Sequence, residues 1–517
     1  MKIRSVSVRL YVGLLLAAST LALSSCRAPL YYYPEYNTAG RATPPSGLLY
    51  RVMAAYTTGV SGGLEMLDGE RDLRGNVQNT ITHFTISGYS ELDPVQIINY
   101  PEETTGYVFS SNDGALTTIN YSKETSSGTA VSFGANAPSA AASVNGVTFL
   151  GASQTTGQFV MSYGGGSYAF SLPNVDKVVV SQGNTVMLAM VKNSNTLYRV
   201  VKLPATTTPV IPPGSVDCEP LLLPTFCIVP VNGTFDRPHD VYFSLDGTTA
   251  DVLNSGPEAG GTTASVAFLK MSTLDFNNVP TASPDVSAMA TLPVANPVLI
   301  PGGVTVALSD SNYLYLAGQQ LQGSGLFAGN LTLLNLSTYK AGSPVSISDG
   351  THTRLLFADD NTLWVGSTQC ANGVRAYTAT QELNAKGVTD QAGNYNCLTM
   401  VTLNGTSTPT AQIVPAVTQN TGTPASAVTV AYPNTDDNLY YYGSATGICW
   451  VQGFHKVFTA YGGQIHAFYT GGAITDPRDP GYNTTPAAGT EINNYNITIQ
   501  GTVLDVAYMD ALTNSAN

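Results

Sequence analysis

One short pattern recurs along most of this 517-residue chain: an apolar strand, a tight polar turn, a second apolar strand, a polar loop, then a third strand. VYFSLDGTTADVLN (Val241 to Asn254) leads to ASVAFLKMST (Ala264 to Thr273). VTVALSDSNYLYLAG (Val304 to Gly318) leads to NLTLLNLST (Asn330 to Thr338). RLLFADDNTLWVGS (Arg354 to Ser367) leads to CLTMVTLNG (Cys397 to Gly405). A small all-β unit cannot bury its apolar faces alone, so repeated copies stack around an axis. The expected fold is all-β, a β-propeller.

Four further units fit the pattern: Val95 to Ser122, Ser139 to Gly166, Asp176 to Pro204 and Ile448 to Gly472. The chain ends complement each other. Arg51 to Thr58 and Gly63 to Arg71 read as second and third strands lacking an inner one. Thr502 to Asp510 reads as an inner strand lacking its partners. Joining them closes the ring and covers both sheet edges, which makes eight blades. Seven is the alternative, because Ser139 to Pro204 is the least regular stretch. Gly, Thr, Ser and Asn are frequent and only 11% of residues are charged, as short strands joined by tight turns require.

The N-terminus reads as an address. Lys2, Arg4 and Arg9 precede the apolar run Leu10 to Leu23, and Leu23-Ser24-Ser25-Cys26 follows. A basic segment, a short apolar run and small residues make a secretory signal, and the run is short for a membrane span. Its end resembles the bacterial lipobox, which implies cleavage before Cys26 and a lipid on it. Arg27 in place of Asp departs from the inner-membrane retention signal of lipoproteins, so the outer membrane is the expected anchor. An ordinary signal peptide with a Cys at its cleavage site is the alternative. The expected divisions are a signal peptide at 1–25, a Tyr- and Pro-rich tether at 26–48, a propeller at 49–512 and a tail at 513–517. The formal net charge is −13, and losing the leader makes the chain more negative still. Such a surface repels phosphate backbones and argues against nucleic-acid partners.

The strand–turn–strand wording resembles the YVTN-type (YncE-like) propeller repeats, with Asp251-Val252-Leu253-Asn254 and Tyr107-Val108-Phe109-Ser110 in the signature slot. The resemblance spans about residues 50 to 510 in degenerate copies, and it implies an extracytoplasmic propeller, usually without an assigned reaction. The chain does not resemble WD40 repeats: no Gly-His…Trp-Asp pair recurs. With only Trp364 and Trp450, it also lacks the Trp docking motifs of quinone-cofactor propellers.

Six cysteines are present. Cys218 and Cys227 bracket one insertion, and Cys370 and Cys397 another. In an oxidising compartment these pairs read as loop staples. Cys449, in an apolar strand, is expected to be a buried thiol. No Cys-x-x-Cys or His-x-His spacing suggests a metal, and no cofactor is expected. There is no Gly-x-Ser-x-Gly elbow, and Gly164-Gly165-Gly166 reads as a hairpin turn.

Candidate chemistry gathers where inner strands begin. Arg237, His239 and Asp240 precede one inner strand, and His352 and Arg354 another. Asp176, Lys177 and Asp505 hold comparable slots. In a propeller these starts surround the mouth of the central channel, where converging polar groups make a binding site. The bland alternative is that they tie neighbouring blades together, with Asp240 neutralising Arg237. Two Arg on an acidic protein suggest an anionic ligand, either a small molecule, a glycan or a protein, with the membrane as a further partner through Cys26. The expected function is binding or scaffolding at the cell envelope. A lactonase-like hydrolase or lyase and a structural surface-layer component are the alternatives.

Overall fold

The computed structural model describes residues 44–48, 50–70, 84–206, 209–219, 224–283, 296–323, 325–370, 394, 396–403, 408–415, 442–477, 479–492, 499 and 501–512. Cys26, the leader, most of the tether, the tail and His83 lie outside them. The chain divides into two units at Thr43/Pro44, and the fold below is that of the second.

Eight antiparallel sheets account for the strands of this unit. Their first strands pack against one another in succession, so they form the inner ring of an eight-bladed propeller. The stretch that was least regular in sequence resolves into two blades. Ala140–Ala142, Thr148–Ser153, Gln158–Tyr163 and Gly166–Ser171 form blade 3. The inner strand Val175–Val180 opens blade 4, followed by Met187–Val191 and Leu197–Lys202. Gly164 and Gly165 adopt positive φ in the hairpin turn of blade 3, where a side chain would be strained.

Blade 1 is built from both ends of the chain. Thr502–Tyr508 is its inner strand and pairs antiparallel with Arg51–Thr57, Val52 facing Tyr508 and Ala55 facing Asp505. Gly62–Asp68 then adds outside. A buried ionic cluster locks this closure. Arg51 donates to both carboxylate oxygens of Asp510, Nε to Oδ2 at 3.1 Å and Nη2 to Oδ1 at 2.7 Å. Its Nη1 reaches the Tyr121 carbonyl and Glu124 of blade 2. Glu124 also accepts from the Ser46 backbone N–H and hydroxyl, and Leu48 is buried. The residues just before the first strand therefore already dock on the propeller.

The cores lie between consecutive blades. Phe159 and Phe170 of blade 3 meet Val178, Met187 and Phe226 of blade 4. Trp364 and Met400 of blade 7 meet Val457 and Phe468 of blade 8. Both faces of each middle strand are thus covered, which is why those strands read as near-continuous apolar runs. Burying each such large side chain contributes roughly 1.5–3 kcal/mol.

Both expected staples are present. Cys218 and Cys227 face each other across adjacent strands, and Cys370 is bonded to Cys397 at the base of the blade 7 insertion. Cys449 is free and buried on the inner strand of blade 8, Ala445–Val451. Disulfides suit an oxidising, extracytoplasmic setting. Among the described residues no helix is long and apolar enough to cross a membrane.

Candidate functional site

Six inner strands share one irregularity that single-strand reading does not reveal. Near its start, each skips one residue against its neighbour: Leu504, Val95, Asp176, His239, Thr353 and Thr446 in blades 1, 2, 4, 5, 7 and 8. Such bulges twist a strand and re-aim the side chains beyond them. The residue after each bulge therefore holds an equivalent place in the ring. In blade order these residues are Asp505, Gln96, Lys177, Asp240, Arg354 and Gly447.

Two ion pairs join members of this ring. Lys177 of blade 4 reaches Asp240 of blade 5, Nζ to Oδ2 at 3.2 Å. Arg354 of blade 7 reaches Asp505 of blade 1, Nη2 to Oδ2 at 3.2 Å. The second pair spans blade 8, whose ring position is Gly447. A Cβ there would lie 2.3 Å from Asp505 Oδ1 and 2.5 Å from the Val506 nitrogen. The missing side chain is what lets Arg354 and Asp505 meet.

Both carboxylates are anchored alike. Asp505 accepts from the Val506 N–H at 3.0 Å and the Ile97 N–H at 2.8 Å, and Asp240 accepts from the Val241 N–H at 2.8 Å. In each pair the cation is the more exposed partner: 39% against 22% for Lys177 and Asp240, and 30% against 5% for Arg354 and Asp505. Burial pushes the Asp505 carboxyl up, against Arg354 and its two backbone donors. Burial pushes the His239 imidazole down, with Asp240 and Asp176 opposing and Lys177 assisting. His239, Asp240, Lys177 and Asp176 therefore form one electrostatic group across blades 4 and 5.

Arg237 and His352 stand apart from that ring. Arg237, at φ 59°, donates its guanidinium to the Asn193 carbonyl and its backbone N–H to Asn195 Oδ1 at 3.1 Å. It clamps blade 5 to a turn of blade 4, and Asp240 turns to Lys177 instead. His352 is 1% exposed, with Nε2 at 2.8 Å from the Ser348 carbonyl and no partner at Nδ1 among the described residues. Burial holds it neutral and pushes its pKa down to about 4. His455 pairs with Asp360 at 2.9 Å, and buried His466 with Glu491 at 2.6 Å. Among the described residues no three His, Cys, Asp or Glu side chains gather as a metal site would need.

Sequence reading missed Gln96 and Gly447, since neither stands out by residue type. Aligning inner strands by their distance from the start would have found both.

The strand order defines a β-propeller. No family model matches the chain, and no curated protein is similar to it at a significant level. Among solved structures, it is similar to the dihydro-heme d1 dehydrogenase NirN at 12% identity and TM-score 0.44, covering 94% of this chain and 78% of that one. It is similar to the periplasmic gluconolactonase PpgL of Pseudomonas aeruginosa at 11% identity and TM-score 0.42, covering 88% and 98%. The C-terminal WD40 domain of Sif2 aligns at 9% identity and TM-score 0.44, covering 80% and 91%. Likenesses at this level assign no activity.

Proposed function

We propose that this chain is an extracytoplasmic binding protein of the cell envelope, a propeller of YVTN/YncE-like type held by a lipid on Cys26. Its ligand is anionic and carboxylate-bearing, and binds at the channel mouth through Arg354 and Lys177. One observation carries the reading: in both ring ion pairs the cation is the more exposed partner and the carboxylate lies deeper. A cation held from beneath by a carboxylate is fixed in place without losing its outward donors. Arg354 then offers the planar fork that suits carboxylates. Confined charge at a concave mouth also draws in oppositely charged ligands. The sites of the two cations, in blades 4 and 7, suit a ligand with more than one carboxylate, such as an acidic glycan.

The test is calorimetric titration with oligogalacturonate at low salt. The expected result is saturable binding that weakens as salt rises and drops roughly tenfold, about 1.4 kcal/mol, in Arg354→Gln and in Lys177→Gln. Unchanged binding in both variants would overturn the site. The address is tested separately: Cys26→Ala should leave a precursor-sized chain that takes up no labelled fatty acid.

A further inference from the structure

We propose that His239 is the pH sensor of the mouth site: its imidazole takes up a proton when an anionic ligand arrives, so binding tightens as the solution becomes more acidic. The sensor rests on the anionic site proposed above and sets how that site responds to pH.

Two neighbouring bulges build it. Asp176 is the residue skipped in the inner strand of blade 4, and His239 the one skipped in blade 5. Each is followed by one partner of the Lys177–Asp240 ion pair, Nζ to Oδ2 at 3.2 Å. The bulges re-aim the side chains at this level and set one imidazole among two carboxylates and one ammonium. His239 is half-buried there. The other described histidines are committed elsewhere: His352 is sealed against the Ser348 carbonyl, His455 holds Asp360 and His466 holds Glu491.

The charges acting on His239 come from two strands. The inner strand of blade 4 supplies Asp176 and Lys177, and its own strand supplies Asp240. Arg237, two residues earlier, gives its guanidinium to the Asn193 carbonyl. Three other strands pack on this one, Met187–Val191, Thr249–Asn254 and Val306–Ser309. Their one ionisable side chain, Asp251, is paired beside Tyr242, further along the strand from His239.

The direction of the response follows from these charges. Burial holds the free imidazole below its ordinary 6.5, with Asp240 opposing, Lys177 assisting and Asp176 opposing, so it is neutral at pH 7. A ligand carboxylate drawn to Lys177 brings a further negative charge to this cluster and favours the imidazolium. A group that holds its proton more tightly in the complex takes one up on binding. Affinity therefore rises as pH falls through the titration of the complex, and levels off below that of the free imidazole, which lies under 6.5. Each pH unit between the two titrations is a roughly tenfold gain.

The test is calorimetric titration with oligogalacturonate, whose carboxylates stay ionised from about pH 8 to about pH 5.5, in buffers of high and low ionisation enthalpy. Binding should take up as much as about one proton, and affinity should rise roughly tenfold across that range. His239→Gln should abolish the uptake and flatten the rise. Asp505, whose carboxyl burial also pushes up, is the same in both proteins, so the difference between them reports the imidazole. A ligand-free measurement decides the matter should His239→Gln fail to fold. Followed by NMR, the His239 ring should titrate higher in Lys177→Gln and lower in Asp240→Asn, since each removes one of the charges acting on it. A ring that titrates alike in all three proteins overturns the sensor. Saturable binding without proton uptake, or with uptake that His239→Gln leaves intact, overturns the sensor alone. No binding at any pH overturns the mouth site and the sensor with it.

Discussion

Replacing Arg51 with alanine should be among the most damaging single changes in this chain, although Arg51 is far from the candidate site. Its side chain is 6% exposed and its two carboxylate partners, Glu124 and Asp510, are 5% and 8% exposed. Burial alone opposes the guanidinium charge, but Asp510 and Glu124 outweigh it and raise its pKa. Alanine would leave two carboxylates without their cation in a site that water hardly enters. Breaking a buried pair from one side destabilises by roughly 3–5 kcal/mol. The unfolding entropy of about 2 cal/mol/K per residue, scaled to a unit of this length, is near 1 kcal/mol/K. The melting temperature should therefore fall by about 3–5 °C. Asp246→Ala, which removes exposed turn bonds in blade 5, serves as the control for a surface charge. Differential scanning calorimetry of both variants at pH 7 reads the difference. An Arg51→Ala melting temperature within about 1 °C of the parent would refute the claim that this cluster holds the closing blade.

The pH dependence of stability should have two opposite arms. Burial raises Asp251 and Glu258 to about 7. Their contribution is complete below the ordinary carboxyl range and is lost as pH rises through 7, so melts should weaken from pH 5 to 8 and Asp251→Asn should flatten that slope. His352, held near 4, acts in the other sense: its contribution is present above 6.5 and is lost as pH falls toward 4. Gly447→Ala forces a Cβ against Asp505 and the Val506 nitrogen, so urea unfolding should show a loss of about 3 kcal/mol. Reducing Cys370–Cys397, which closes a separation of 27 residues, should cost roughly 3 kcal/mol. Non-reducing peptide maps should show that link and Cys218–Cys227, with Cys449 unlinked.

Much of the architecture was legible because each blade repeats one local problem, how to bury a three- to five-stranded sheet on both faces. Val241 to Asn254 and Arg354 to Ser367 announce their hairpins by apolar runs broken by polar turns. The pairing of Thr502–Tyr508 with Arg51–Thr57 follows from two incomplete units that complete each other. The site was legible only in outline. Inner-strand starts show where charged residues gather, but not which neighbour each charge meets. Asp240 turns to Lys177 rather than to Arg237 three residues before it, because the bulge at His239 re-aims it. Arg354 finds Asp505 across a whole blade because Gly447 leaves space. Both are facts of packing between blades, which residue spacing does not encode. His352 looked like a mouth residue and is instead sealed beneath Ser348, since polar type alone does not tell a buried histidine from an exposed one.

The most direct measurement is hydrogen–deuterium exchange of the native protein with and without saturating oligogalacturonate. A ligand held by Arg354 and Lys177 should slow exchange in Val175–Val180, Thr351–Ala358 and Thr502–Tyr508, and leave the outer strands unchanged. Protection confined to outer strands or to turns on the face where the inner strands end, or none despite saturable binding, would contradict a site at the channel mouth.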